Sequence, residues 1–174
     1  KDCITTTNDE KDRKTIYDYI KLPYKDQLKP VGRLDRNTTG LILLSNDGDF
    51  INKLTHPSFQ VVKIYQATLD KPITKLDLEN FNKGCKLEDG EFIPDEVIKV
   101  EGKNKVGIQI HSGKNRIVRR FFEHFGFRVN YLDRVCFAGL TKDQLPRGKT
   151  RELSPKERRY VSSQVKKIAK NEEF

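Results

Sequence analysis

Residues 31–48 read VGRLDRNTTGLILLSNDG, a polar loop that runs directly into an apolar stretch. Residues 40–44 form a continuous apolar run between turn-forming residues, and they are too few for an isolated helix. We therefore predict a buried strand over 40–44 that ends before Asp47 and Gly48. A loop that is anchored by a buried strand forms a rigid platform for binding or catalysis.

Asp35 lies in the middle of that polar loop, with Arg33 and Arg36 close on either side. An aspartate in this position can act as a nucleophile or a base if a nearby arginine keeps it ionised and oriented, because an opposite charge lowers a carboxyl pKa. The alternative is an aspartate that only caps its own turn. The residues of the loop alone leave both interpretations open.

The rest of the chain alternates between strand signals and helix signals. Strands are predicted over residues 3–7, 61–69, 97–100, 106–110 and 127–137. Helices are predicted over residues 15–20, 49–54, 74–84, 115–125 and 154–170. Hairpin signals such as Asp89-Gly90 favour a mixed, mostly antiparallel sheet with flanking helices. The predicted fold class is therefore α+β, in one domain that spans residues 1–174.

The charge of the chain is concentrated at one end. Lys and Arg number 34 against 25 Asp and Glu, a net charge of +9. Residues 1–110 contain 18 basic against 18 acidic residues, whereas residues 111–174 contain 16 against 7. This asymmetry is typical of proteins that bind a polyanion such as RNA, and the alternative is a solvated basic face.

Several classes of protein and of site are excluded by what the sequence lacks. No run approaches the roughly 18 apolar residues that a membrane span needs, and the N-terminus has no signal-peptide pattern. The three cysteines are widely separated, so neither disulfides nor a zinc cluster is indicated, and a reducing cytosol fits. His56, His111 and His124 lack metal-ligand spacing, and we predict no metal and no cofactor.

The loop at 31–48 resembles the signature loop of the bacterial pseudouridine synthases that modify ribosomal RNA, the RsuA/RluB type. Further segments resemble the same family in the same order along the chain, and together they cover nearly all of it. These segments are LTHP at 54–57, KIY at 63–65, LEDG at 87–90, HSGKNRIVRR at 111–120 and LPRGK at 145–149. A single short motif would be weak evidence for the family, but several blocks in the family's order argue strongly against a chance match.

This resemblance implies a role for each of three residues and a more specific fold. Asp35 would be the catalytic aspartate, Tyr65 the aromatic residue that stacks on the target uracil, and Arg119 the ion-pair partner of Asp35. The fold would be the pseudouridine synthase fold, in which two sub-domains share one sheet. The family's chemistry needs no cofactor, and the resemblance leaves open whether Asp35 attacks the anomeric carbon or removes the neighbouring ribose proton.

The arginines of the 111–120 segment differ in their predicted positions. With about 100° per residue along a helix, Arg119 lies nearest the apolar face and Arg116 opposite it. For Arg116 and Arg120 we predict RNA phosphate contacts, with simple solvent exposure as the alternative. Arg33 and Arg36 are candidates to hold the distorted RNA backbone around the target uridine, and their alternative is plain surface charge.

The resemblance also implies a substrate and a setting. The chain would isomerise one uridine of ribosomal RNA, in the large subunit, by acting as a cytoplasmic monomer on a ribosomal subunit precursor. Full family members usually carry a small RNA-binding domain before the catalytic one, and we expect that domain to be absent from the given sequence. The main alternative is a ribosomal RNA-binding protein without catalysis, which the basic last third supports equally well. A nuclease, the second alternative, would require metal-binding carboxylates or a histidine pair, and the sequence shows no such cluster.

Overall fold

The computed structural model describes residues 14–56, 59–111 and 113–172, with side chains described as far as Gln164. The strand predicted over 3–7 lies outside these residues. The described strands are β1 Lys29–Pro30, β2 Thr38–Gly40, β3 Leu44–Ser45, β4 Lys63–Leu69, β5 Cys85–Leu87, β6 Gly90–Phe92, β7 Glu96–Lys99, β8 Lys105–Ile110, β9 Val129–Phe137 and β10 Leu140–Thr141. The described α-helices are α1 Gly48–Thr55, α2 Lys75–Lys83, α3 Ile117–His124 and α4 Pro155–Glu172, and short 3-10 helices cover Ile16–Tyr19 and Lys25–Gln27.

The central sheet has six strands in the described part of the chain. Five of them lie in the order β10-β9-β4-β8-β7, each antiparallel to its neighbour. The sixth, β2, pairs with β9 in the parallel sense, so that Thr38 lies opposite Leu132 and Gly40 opposite Arg134. The prediction of a mixed, mostly antiparallel sheet with flanking helices is confirmed.

Two separate apolar clusters stabilise the described part of the chain. The larger cluster packs phenylalanines of α2 and α3 against the central strands β4, β8 and β9, with Phe81, Phe121 and Phe122 completely buried. The smaller cluster joins Val31 to residues of α1, α4 and the end of β9. Val31 begins the loop over residues 31–38, which we call the Asp35 loop. One sheet thus carries two packed units, with the Asp35 loop at their boundary.

The helix ends follow the capping signals of the sequence. Thr74 and Asp77 form the predicted capping box of α2, and Gly84 ends that helix with φ of +78°. Ser154 and Glu157 exchange the two backbone hydrogen bonds of a second capping box at the start of α4. The helices predicted from capping and periodicity are confirmed within two residues at each end, although the one after Thr15 is a 3-10 helix.

The predicted strand over 40–44 is wrong. The chain forms β2 at Thr38–Gly40 and β3 at Leu44–Ser45, and residues 41–43 between them belong to neither strand. The reason is the geometry of Gly40, whose φ of +115° turns the chain where its backbone packs against Arg134. Residues 41–44 are half-buried and line a groove, and Leu43 also packs against the second apolar cluster. This packing accounts for the apolar run.

Candidate active site

A cleft of about 620 Å³ opens where the Asp35 loop meets the central sheet and the start of α3. Its walls are the 31–38 loop, the first half of β4, the 113–116 loop and the second half of β9. Among the described residues, seven basic side chains line the cleft, whereas Asp35 is its one acidic lining residue. The basic residues are Arg33, Arg36, Lys63, Lys114, Arg116, Arg119 and Arg134.

The Asp35 loop is held in place at both of its ends. Val31 is completely buried in the second apolar cluster, and its N–H donates to the Leu43 carbonyl at 2.7 Å. At the other end, the Thr38 N–H donates to the Asp35 carbonyl at 2.8 Å, and Thr38 then enters β2. The carboxylate of Asp35 is therefore presented from a short, anchored turn, with its side chain 31% exposed.

Two arginines face the Asp35 carboxylate. Arg116 donates to Oδ2 of Asp35 at 3.2 Å, and Nε of Arg119 lies 3.9 Å from the same oxygen. The helical-wheel prediction for Arg116 is wrong, because α3 begins only at Ile117. Arg116 precedes the helix in the left-handed region, with φ of +51°. This backbone conformation, rather than a helical position, directs its guanidinium to the cleft.

Arg119 is buried, in agreement with its predicted place on the apolar face of α3. Its Nη1 donates to the Val129 carbonyl at 3.2 Å and its Nη2 donates to the Asn37 carbonyl at 3.0 Å. Burial lowers the pKa of Arg119, repulsion by Arg116 adds to this, and Asp35 opposes it. Arg119 thus ties the Asp35 loop to the beginning of β9 besides facing the carboxylate.

Tyr65 lies on β4, half-buried, where it lines the cleft and packs against the larger apolar cluster. In the sheet, Tyr65 lies directly opposite Arg134 of β9 and Ile108 of β8. The structure therefore brings Asp35, Tyr65 and Arg119 to one cleft from three separate elements. Stacking of a uracil on Tyr65 stays a prediction.

Arg33 and Arg36 are exposed at the rim of the cleft, on either side of Asp35. Arg120 lies outside the cleft lining, and its guanidinium forms two hydrogen bonds with Asp89, at 2.8 and 3.0 Å. A third hydrogen bond runs from Nε of Arg120 to the Asn115 carbonyl at 2.9 Å. Arg120 thus fastens the β5–β6 hairpin to the loop that carries Arg116, and an RNA contact by Arg120 stays a prediction.

The sequence reasoning missed three basic residues of the cleft lining as members of the site: Arg134, Lys63 and Lys114. Arg134 is 2% exposed in the middle of β9, and the charged pair Asp133-Arg134 inside a mostly apolar strand was the available signal. Lys63 precedes Tyr65 by two positions on β4 and lines the cleft as well. Burial and repulsion by Arg134 lower the pKa of Lys63 to about 8.

The described part of the chain contains no group of three or more histidine, cysteine, aspartate or glutamate residues that could hold a metal ion. Among the described helices, none is both long enough and apolar enough to cross a membrane.

Comparison with known proteins places this geometry in a family. A family model described as RNA pseudouridylate synthase matches residues 1–124. The chain is similar to ribosomal large subunit pseudouridine synthase B of Bacillus subtilis, with 39% identity over 160 residues that cover 88% of this chain and 65% of that protein. It is also similar to the dual-specificity RNA pseudouridine synthase RluF of Escherichia coli, with 32% identity over 88% of this chain and 52% of that protein.

Among solved structures, a crystal structure of a pseudouridylate synthase superposes with a TM-score of 0.80 at 27% identity, covering 97% of this chain and 70% of that one. The chain spans between about half and two thirds of the length of these curated relatives. The family match covers well over half of the chain, and the fold and the order of motifs agree with it. The chain therefore belongs to the RNA pseudouridylate synthase family.

Proposed function

We propose that this chain is the catalytic part of an RNA pseudouridine synthase that converts one uridine of large-subunit ribosomal RNA to pseudouridine. The observation that carries the proposal is the Asp35 carboxylate in an anchored turn, facing Arg116 and Arg119 inside a basic cleft. We further propose that it acts as a cytoplasmic monomer on a ribosomal subunit precursor. The names of the relatives support the reaction and the RNA class.

The proposed reaction starts at the ribose of the target uridine. Asp35 either attacks C1′ or removes the proton of the neighbouring ribose carbon, and the C1′–N1 bond breaks with its electron pair left on the uracil. The detached base turns and C5 bonds to C1′. In the first route this bond displaces the Asp35 carboxylate from C1′, and in the second route Asp35 returns the proton to the neighbouring ribose carbon. C5 then loses its proton and N1 gains one. The product is an isomer of the substrate, so the balance requires no further reactant.

The remaining cleft residues suit the other demands of this reaction. A target uridine must leave its stack before the ribose can reach Asp35, and stacking on the ring of Tyr65 would offset part of that cost. Arg33 and Arg36 at the rim are placed to contact phosphates around the flipped nucleotide. Arg116 and Arg119 face the Asp35 carboxylate and orient it for either first step.

The deciding experiment replaces Asp35 by Asn in this chain and incubates both proteins with unmodified large-subunit ribosomal RNA transcript. We expect loss of pseudouridine formation by at least about 10⁴-fold, the scale seen when a nucleophile is removed. RNA binding and thermal unfolding should change little, because the side chains have nearly the same shape. Chemical mapping of pseudouridine gives the yield and the position.

Asp26→Asn is the matched control, because Asp26 is exposed in a 3-10 helix away from the cleft lining. It should retain full activity. Substantial residual activity in Asp35→Asn would exclude Asp35 as the reacting carboxylate. RNA binding without any pseudouridine from the unaltered chain would favour the alternative, a non-catalytic ribosomal RNA-binding protein.

A further inference from the structure

Arg134 combines near-complete burial with a place in the cleft wall. It is 2% exposed, and among the described residues no carboxylate forms a salt bridge with it. Burial lowers its pKa, and a hydrogen bond with the Tyr65 side chain opposes this. A buried charge without a carboxylate partner is costly for folding. Its presence here indicates a purpose that an apolar side chain would not serve.

On one side, Arg134 contacts the segment that follows β2 and the last residue of its own strand, Phe137. Its Nε donates to the Leu41 carbonyl at 2.9 Å, while its own carbonyl accepts from the Leu41 N–H at 2.9 Å. Its guanidinium carbon lies 4.5 Å from the centre of the Phe137 ring. The Gly40 backbone packs so closely on Arg134 that no Cβ would fit between them. Arg134 therefore fixes the chain just after β2.

On the other side, Arg134 meets Tyr65. The two residues are directly opposite in the β4–β9 pairing, next to a register shift between Ile64 and Tyr65. Directly opposite residues of antiparallel strands have Cβ atoms about 5 Å apart, so a long side chain on one reaches the other. Both side chains line the cleft, and the hydroxyl is the only polar group that the Tyr65 side chain offers to the guanidinium.

One donor of this guanidinium remains without a partner. Nη2 of Arg134 is buried and makes no hydrogen bond, and the other such side-chain atom among the described residues is Nε of Arg119, also in the cleft wall. An unpaired buried donor destabilises a protein by about 1–3 kcal/mol. The burial, the missing carboxylate and the unpaired Nη2 together indicate that stability alone does not account for an arginine here.

We propose that Arg134 is a positioning residue that holds the Tyr65 side chain in register with the Asp35 loop. The inference rests on the proposed function, because it assigns Tyr65 and Asp35 to one reaction. Through Leu41 the arginine fixes the end of β2, the strand that follows the Asp35 loop, and through the Tyr65 hydroxyl it fixes the ring on which the target uracil stacks. The distance between nucleophile and base platform is thereby set by one side chain.

The first test is Arg134→Met, which keeps an unbranched side chain of similar length and removes the buried charge. We expect the single-turnover rate at saturating protein to fall by up to about 10²-fold, as for a small misplacement of reacting groups. The RNA dissociation constant should stay unchanged and the melting temperature should stay the same or rise. A rate that falls only in step with RNA affinity or melting temperature would overturn the proposal.

The second test asks whether Arg134 acts through the Tyr65 hydroxyl. Tyr65→Phe keeps the stacking ring and removes only that hydroxyl, so it should slow the same step by a similar factor. The double variant should be no slower than the slower single variant, because the two changes break one connection. Additive effects, or a Tyr65→Phe variant as fast as the unaltered chain, would overturn the proposal.

Two further variants keep the test decisive. Arg134→Lys retains the charge and a single donor group, the ammonium, so it should recover part of the rate. It replaces Arg134→Met in the comparison if the latter does not fold. Arg128→Lys, at an exposed residue just before β9, is the matched control and should behave like the unaltered chain. Failure of the proposed function would appear separately, as no pseudouridine from the unaltered chain.

Discussion

Arg116 and Arg119 reach the same carboxylate from different settings, and this difference separates their expected contributions. Arg119 is buried and holds the carbonyls of Asn37 and Val129. Arg116 is nearly half exposed and contacts Asp35 from a left-handed backbone position. The first arginine therefore combines structural and electrostatic contributions, whereas the second contributes mainly charge.

We expect Arg119→Ala to lower the free energy of unfolding by roughly 2–4 kcal/mol, because two carbonyls lose their donor. Turnover should fall with it, and by far more than in Arg116→Ala, since the Asp35 loop is also released. Arg116→Ala should lower turnover without a comparable loss of stability. Thermal unfolding and single-turnover rates of both variants provide the measurement, and equal losses in both quantities would contradict the assignment.

The buried charge of Lys63 should lower the free energy of unfolding over a defined range of pH. Its native pKa is about 8, against an ordinary value of 10.5, because burial and Arg134 disfavour its charged form. Below pH 8 the lysine is charged in both the native and the unfolded state, so the native state bears the full penalty. Between about pH 8 and 10.5 the native lysine loses its proton first, and the penalty disappears.

Lys63→Met should therefore raise the melting temperature at pH 7, and the gain should shrink as the pH rises from 8 towards 10.5. Thermal unfolding at pH 7, 9 and 10.5 measures this trend. Lys99→Met, at an exposed residue of β7, is the control and should show no such dependence. A gain that is absent at pH 7, or identical at every pH, would refute the explanation.

At the scale of elements, the junction between the Asp35 loop and β2 depends on one glycine. Gly40 has φ of +115°, and a Cβ there would lie 2.2 Å from the carbonyl oxygen of Arg134. Because the obstructing atoms belong to the backbone of β9, a rotamer change does not relieve the clash. The parallel β2–β9 pairing would have to open instead.

Gly40→Ala should thus destabilise the protein by several kcal/mol, roughly 2–4, and should reduce turnover in the molecules that remain folded. Gly48→Ala is the matched control, since Gly48 begins α1 without a positive φ and has open space where a Cβ would lie. That control should be neutral or slightly stabilising. Denaturant unfolding of both variants compares them directly, and equal stabilities would contradict the role of the close approach.

The elements themselves could be predicted from the sequence where the signal is local. The capping boxes at Thr74 and Ser154 and the glycine at 84 act over a few residues, so they define α2 and the start of α4 well. The 40–44 run is misleading because its apolar character reflects packing from distant segments. The left-handed Arg116 escapes prediction because a periodic apolar face does not reveal where a helix begins.

The site could be predicted only in part, for a related reason. Asp35, Tyr65 and Arg119 follow from motif resemblance, which reflects chemistry along the chain. Arg134 and Lys63 both line the cleft because β4 pairs with β9. The local sequence of a strand does not identify its pairing partner. Only a cross-strand register brings such residues to a common site.

On the scale of the whole molecule, the excess positive charge of the chain and the basic lining of the cleft both favour binding of a polyanion. Seven basic residues among those described line the cleft around the Asp35 carboxylate. RNA binding should therefore weaken steeply as salt is added, because each neutralised phosphate releases counterions. Rim residues should contribute to this dependence individually, whereas buried ones should not.

Arg33→Gln should reduce the slope of the logarithm of RNA affinity against the logarithm of salt concentration by roughly 0.7–0.9, the value for one phosphate contact. Arg128→Gln, exposed but outside the cleft lining, should leave the slope unchanged. Titrations of the ribosomal RNA transcript at several salt concentrations give both slopes. An unchanged slope for Arg33→Gln would assign that residue to surface charge only.

The parallel pairing of β2 with β9 also bears on how the molecule reaches its active form. Asp35 precedes a strand whose partner lies more than 90 residues further along the chain. Such contacts close large loops, and chains that depend on them fold more slowly than chains with local contacts. The helices can form early, whereas the cleft exists only once β2, β4 and β9 have met. Recovery of activity during refolding would therefore trail recovery of helical signal.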